Sequence, residues 1–177
     1  MAAKKSESSD KPQDADRFLI LMRHAKSDWG DPSLSDHQRP LNDRGKRDAP
    51  RMADWLMSID MVPDTILSSS SERTRETVAL MTPQWRSEPM TSFCEGLYLA
   101  TPESILSTIR SDAGDATKLM VLAHNPGITT LASGLADNLI EMPTAAVAVF
   151  KIATPDWSKL QSSTPMQLTQ FMSPKAL

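Results

Sequence analysis

The chain has 177 residues with 40% hydrophobic and 23% charged side chains, the length and mixture of one globular domain. At that size roughly 70% of the unfolded chain's surface is buried on folding, so neither a metal nor a disulfide is needed to hold a core. The single cysteine, Cys94, cannot crosslink the chain. A net charge of −3 offers no general attraction to nucleic acid or to an anionic membrane, so any anion site must be local.

The first 17 residues carry eight charges and no large aliphatic residue after Met1, which predicts a disordered tail over residues 1–17. The start shows no signal-like apolar segment and no apolar run reaches about 18 residues, which predicts a cytoplasmic protein with no membrane contact. Phe18–Met22 is a continuous apolar run bounded by charge, suited to a strand covered on both faces. A polar loop from Ser27 to Pro40 follows. Ala49, Met52, Ala53, Leu56 and Ile59 then recur with helical period, with Asn42 or Asp43 as cap and Pro50 as a kink or second start. Thr65–Leu67 reads as a short strand and Glu72–Met81 as a helix stopped by Pro83. The Ser68–Ser71 run is too short to count as low complexity.

Thr101-Pro102 opens a further helix carrying Ile105, Leu106 and Ile109. Lys118–Ala123 is a second buried strand, and Asn125-Pro126 caps a helix with Ile128, Leu131, Ala132 and Leu135 facing inward. Ala145–Ile152 and Met166–Met172 read as closing strands around a turn at Pro155-Asp156. Alternation of strand and helix predicts an α/β fold, a three-layer α/β/α sandwich with a mostly parallel central sheet, formed by residues 18–177 as a single domain.

In open sheets ligands sit just beyond the carboxyl ends of the strands. There the chain carries Arg23-His24 after the first strand, Arg73 after the second and His124 after the run ending at Ala123. Two histidines beside two guanidinium groups do not make a metal site, and neither His37, Cys94 nor the carboxylates supply a third ligand at suitable spacing, so no metal or other cofactor is expected. Guanidinium forks match phosphoryl oxygens, and the helix start after Asn125 adds backbone N–H groups, so the cluster reads as a phosphate cradle. Neighbouring arginines lower the pKa of a histidine there and keep it a neutral nucleophile.

The segments RHAKSDWGDPSLSDHQRPLNDRGKRDAPRMADWL, SSSSERTRET, GLYLATPESIL and AHNPG resemble the histidine phosphatase superfamily (phosphoglycerate mutase-like), in particular its SixA-type phosphohistidine phosphatase branch, from about Phe18 onward. The resemblance implies that His24 attacks the phosphoryl group and forms a phosphohistidine intermediate, while Arg23, Arg73 and His124 hold the phosphoryl oxygens. Three departures stand out. Ala25 replaces the signature glycine. Ser70-Ser-Glu72 replaces the Pro-small-Leu that often precedes the arginine, which keeps Arg75 as an alternative to Arg73. Glu95, in Cys94-Glu-Gly-Leu-Tyr98, is the candidate general acid.

Weak acid equipment favours phosphohistidine, whose P–N bond breaks without a strong acid, over an alkyl phosphate. The intervals of 49 and 51 residues between His24, Arg73 and His124 leave little chain for a lid and predict an open site suited to a phosphorylated protein. Lys26, Asp36, Arg39, Arg44 and Arg47 are candidates to border it, with Arg39 preferred, and Lys26, Arg39 and Asn125 are expected to touch substrate. His37 is expected to be exposed and Cys94 packed. The four tryptophans, including Trp29, lie too far apart in sequence for a nucleic-acid stacking platform. A small-molecule phosphomonoesterase, a non-catalytic module binding phosphorylated partners and a zinc hydrolase remain as alternatives, and nothing fixes the oligomeric state.

Overall fold

The computed structural model of the protein describes residues 16–152, 154 and 156–177, so most of the predicted tail and Pro155 of the predicted turn lie outside the described residues. β1 (Arg17–Arg23) is apolar on both faces because both are covered. Leu19 and Leu21 join one core cluster with Ile105, Leu106 and Ile109 of α3 (Pro102–Asp112) and Ile128, Leu131 and Leu135 of α4 (Gly127–Ala136). Ile20 and Met22 join the other, with Met52 and Leu56 of α1 (Asp43–Ser58) and Val78 and Met81 of α2 (Glu72–Met81). Two helices therefore cover each face of the sheet, giving the expected three layers.

With β2 (Thr65–Ser69), β3 (Met90–Cys94), β4 (Lys118–Ala123), β5 (Val147–Ile152) and β6 (Met166–Met172), the sheet has the order β3-β2-β4-β1-β5-β6. The pairs β3·β2, β2·β4 and β4·β1 are parallel, whereas β5 runs antiparallel to both β1 and β6. β2, β4 and β1 thus end on one edge. The register is fixed there: Arg23 lies opposite Ala123, so the next residues, His24 and His124, leave adjacent strands side by side.

The sequence reading and the structure differ at four places. Arg17, expected in the tail, opens β1: it pairs with Ile152 and its guanidinium donates to the Ala116 carbonyl. β3 was not expected, because Met90 and Phe93 are exposed on an edge strand and leave no buried alternation to detect. α1 is a single helix with Pro50 inside it, so Pro50 does not start a second one; it is started by Asn42, whose side chain accepts a bond from the Gly45 N–H. β5 begins at Val147 because Ala145, at φ 63°, occupies the left-handed region and breaks extended geometry.

Two glycines let elements approach closely. A Cβ on Gly45, in the first turn of α1, would stand 2.2 Å from the Lys26 carbonyl oxygen, and one on Gly127 would stand 1.9 Å from that of Ala100. Gly127→Ala is therefore expected to destabilise by about 1–3 kcal/mol. Gly134→Ala, in the same helix with open space around it, is expected to stabilise by about 0.4–1 kcal/mol. Urea unfolding of the two variants checks the contrast, and equal effects would count against the close approach.

Candidate active site

Beyond the ends of β1, β2 and β4 lies a cavity of about 210 Å³, lined by Arg23, His24, Lys26, Arg39, Arg73 and His124 among others. That is below the 300–1,000 Å³ typical of small-molecule sites. Four cationic side chains and one carboxylate, Asp36, border it, a local excess of positive charge on a chain whose net charge is −3.

His24 sits at the bottom, 7% exposed. Its Nδ1 lies 2.7 Å from the carbonyl oxygen of Ala25. A carbonyl only accepts, so Nδ1 carries the proton and Nε2 keeps a free lone pair. The pKa of His24 is lowered to about 3, first by burial and then by Arg73, Arg23 and Arg39, against the opposing pull of the Ala25 carbonyl. The expected direction holds, but desolvation leads and the arginine charges follow. Ala25 itself is fully buried, its N–H donating to Thr77 Oγ1 at 3.2 Å, so the small residue suits the turn after β1.

His124 lies beside it, ring centroids 5.1 Å apart. Its Nδ1 accepts from the Arg73 guanidinium at 3.2 Å, which leaves the proton on Nε2 to be donated to Ser69 Oγ at 2.7 Å. Burial, then the neighbouring His24 and Arg73, lower its pKa to about 3. Both ring nitrogens are engaged, so His124 braces Arg73, and donating to a phosphoryl oxygen would require it to give up one of these bonds.

Arg73, in the first turn of α2 and 3% exposed, donates to the Asp36 carbonyl at 2.6 Å and to the Asp36 carboxylate at 3.0 Å. The same carboxylate accepts from Arg39 at 2.8 Å and from the Tyr98 hydroxyl at 2.6 Å. Burial would raise the pKa of Asp36, but Tyr98, Arg73 and Arg39 together hold it at about 2. Asp36 thus occupies the guanidinium of Arg73 as a resident anion. Arg23 differs: one terminal nitrogen donates to the Met142 carbonyl at 3.1 Å, while its buried Nε has no partner among the described residues.

Lys26 and Asn125 also line the cavity, although the Asn125 amide donates to the Met142 carbonyl and its oxygen accepts from Thr129. Arg39 is buried and bonded to Ser27, Asp28 and Asp36. Arg44 and Arg47 are not part of the wall and pair with Asp48. Arg75 bonds the Ser70 carbonyl and stacks on Phe93, away from the cavity, so Arg73 is the arginine that the structure brings in. Glu95 is exposed at the start of a short 3-10 turn and is not a wall residue; that turn carries Tyr98 to Asp36 instead. His37 is half-buried, not exposed, because Nε2 bonds Ser70 Oγ at 2.9 Å and the ring meets Tyr98 edge-on. Cys94 is half-buried, its thiol pushed up to about 11 by burial and by Asp112, which keeps it protonated.

Ser69, Ser70, Tyr98, Trp29 and Leu99 complete the surroundings and were not foreseen as site residues. For the serines a signal was available: Ser68–Ser71 puts four hydroxyls in a row from the end of an apolar strand to a helix start, where burying them is costly unless they serve as partners. Among the described residues no group of three or more His, Cys, Asp or Glu side chains is arranged to hold a metal ion, and no helix is long and apolar enough to cross a membrane.

Residues 19–93 match the histidine phosphatase superfamily, branch 1. A chloroplastic protein of Arabidopsis thaliana, of uncharacterised function, is 35% identical over 152 residues, covering 81% of this chain and 70% of its own. A Mycobacterium tuberculosis protein, also uncharacterised, is 32% identical over 143 residues, covering 75% of this chain and 87% of its own. Among solved structures, the SixA protein of Agrobacterium tumefaciens superposes with a TM-score of 0.76 at 26% identity, over 89% of this chain and 98% of that one. A protein histidine phosphatase SixA complexed with tungstate superposes with a TM-score of 0.73 at 19% identity, over 89% and 97%. The chain belongs to the histidine phosphatase superfamily, and its fold is that of the SixA proteins.

The histidine pKa values set a stability profile. An unfolded histidine gains its proton near pH 6.5, whereas folded His24 does so only near pH 3. Between these values the unfolded chain binds more protons, so this stability is fully present above about pH 6.5 and falls as the pH is lowered towards 3. The expected loss from pH 7 to pH 5 is about 2 kcal/mol per such histidine. Urea unfolding at the two pH values checks it, with His24→Asn expected to lose about 2 kcal/mol less than wild type; an equal loss would contradict a neutral buried His24.

Proposed function

We propose that this chain is a metal-independent phosphatase that works through a phosphohistidine intermediate on His24, with phosphohistidine in a protein as its substrate. The observation that carries the reading is the tautomer of His24: a buried imidazole with Nδ1–H tied to the Ala25 carbonyl and a free Nε2, in a cavity that Arg23 also lines. Such a ring is a nucleophile at neutral pH without a separate base.

In the first step Nε2 of His24 forms a bond to phosphorus as the substrate's P–N bond breaks, and the departing imidazole nitrogen takes a proton from water. The Nδ1–H bond to the Ala25 carbonyl stabilises the positive charge that the His24 ring acquires. Charge on the transferring group spreads over three oxygens, so Arg23, Lys26 and Arg73 supply most of the stabilisation. Water then attacks phosphorus, releasing phosphate and returning His24 to its neutral form. Glu95, lying off the wall, does not serve as acid in this scheme. That favours a leaving group protonated by solvent, and a phosphoramidate meets the condition better than an alkyl ester.

The oxyanion tungstate bound by the SixA structure supports an oxyanion site in this fold. The reading also includes a cytoplasmic location. A fluorescent fusion tests that part, and signal confined to an organelle, as the chloroplastic Arabidopsis relative would suggest, would overturn it.

A panel of phosphohistidine peptide, free phosphoramidate, aryl phosphate and alkyl phosphate tests the chemistry. Wild type is expected to favour the P–N substrates, to keep its activity in chelator and to be blocked by vanadate. His24→Ala is expected to lose all turnover and the acid-labile, alkali-stable phosphoryl label. Arg73→Ala is expected to lose about 10²–10³ in rate. Preference for the alkyl phosphate, or a label persisting in His24→Ala, would overturn the proposal.

A further inference from the structure

Two large apolar side chains stand exposed at the mouth of the cationic cavity. Trp29, on the loop after β1, is 72% exposed, and Leu99, on the loop before α3, is 55% exposed; both line the same cavity as His24. Neither is loosely placed. The Arg39 guanidinium lies 3.2 Å from the centre of the Trp29 ring and is itself held by Ser27, Asp28 and Asp36. One face of the indole is thus occupied and the opposite face is left to solvent. Leu99 sits at φ 47°, a left-handed conformation that a leucine adopts only at a cost, and that conformation carries its exposed side chain to the cavity edge.

Attack on phosphorus is in line, so the leaving group lies opposite the nucleophile. His24 is at the floor, and the leaving group must therefore point outward, into the space bordered by Trp29 and Leu99. The geometry points to Trp29 and Leu99 as the platform that receives the leaving group, with the free indole face stacking on a planar ring, the imidazole of phosphohistidine. This rests on the phosphatase reading above and adds what the site recognises behind the phosphoryl group. Stacking also suits the product: as the P–N bond breaks, the departing nitrogen takes one proton, and the neutral planar imidazole that results keeps its face against the indole. An alkyl phosphate presents no ring to stack.

The experiment compares a phosphohistidine peptide with free phosphoramidate, two substrates that share a P–N bond but of which only the first carries a ring. The ratio of their kcat/KM values is measured for wild type, Trp29→Ala, Trp29→Phe and Leu99→Ala. The ratio is expected to fall about tenfold in Trp29→Ala, about threefold in Leu99→Ala, and to stay within about threefold of wild type in Trp29→Phe, which keeps an aromatic face. An unchanged ratio in Trp29→Ala, or an equal loss on both substrates as if the indole only steadied Arg39, would overturn the platform. Wild type turning over neither substrate would overturn the phosphatase reading and the platform with it, so the two failures are distinct.

Discussion

The site depends on the parallel register of β1 against β4. Because β1 is apolar on both faces, alternation cannot hold it in place, and a slip of one residue would exchange two sets of equally apolar side chains. Charges at the ends do the holding. Arg17 donates to the Ala116 carbonyl and lies near the Trp157 ring, Arg23 donates to the Met142 carbonyl, and Lys118 at the start of β4 reaches the Asp60 carbonyl. Sliding either strand would drag a cation into the core at a cost of several kcal/mol. With the register set, His24 and His124 are neighbours, and β2, paired to β4, delivers Ser69 and Arg73 to the same place.

Electrostatics then divides the labour among residues that look alike in sequence. Burial, more than the arginines, keeps both histidines neutral, and their hydrogen bonds make them different: one keeps a free lone pair, while the other is spent between Ser69 and Arg73. The arginines divide similarly. Arg39 is consumed by the loop, Arg73 is shared between Asp36 and His124, and the buried Nε of Arg23 has no partner among the described residues. Few of these side chains can turn without breaking a bond, and an anion arriving there meets groups already oriented.

The elements that build the site were legible because each is a plain physical case. β1 and β4 are unbroken apolar runs, α3 begins with Thr101-Pro102, and His24 and His124 follow directly on strand ends. What the sequence did not disclose depends on contacts between distant segments. Glu95 and Tyr98 are three residues apart, and nothing local shows that the 3-10 turn leaves the first in solvent and carries the second to Asp36. The hydroxyls of Ser69 and Ser70 find imidazole partners more than 30 residues away. The role of Trp29 depends on Arg39, ten residues later, folding back beneath it.

The carboxylate of Asp36 bears on how a catalytic cycle would close. A guanidinium stripped of water and left bare would bind inorganic phosphate, sulfate or any other small anion tightly and release it slowly. Here the resting partner of Arg73 is tethered to the same chain and strongly acidic. On the proposed cycle the arriving phosphoryl group takes that place and the departing phosphate gives it back, so turnover exchanges one anion for another at Arg73. Product release is thereby helped by a competitor that never diffuses away.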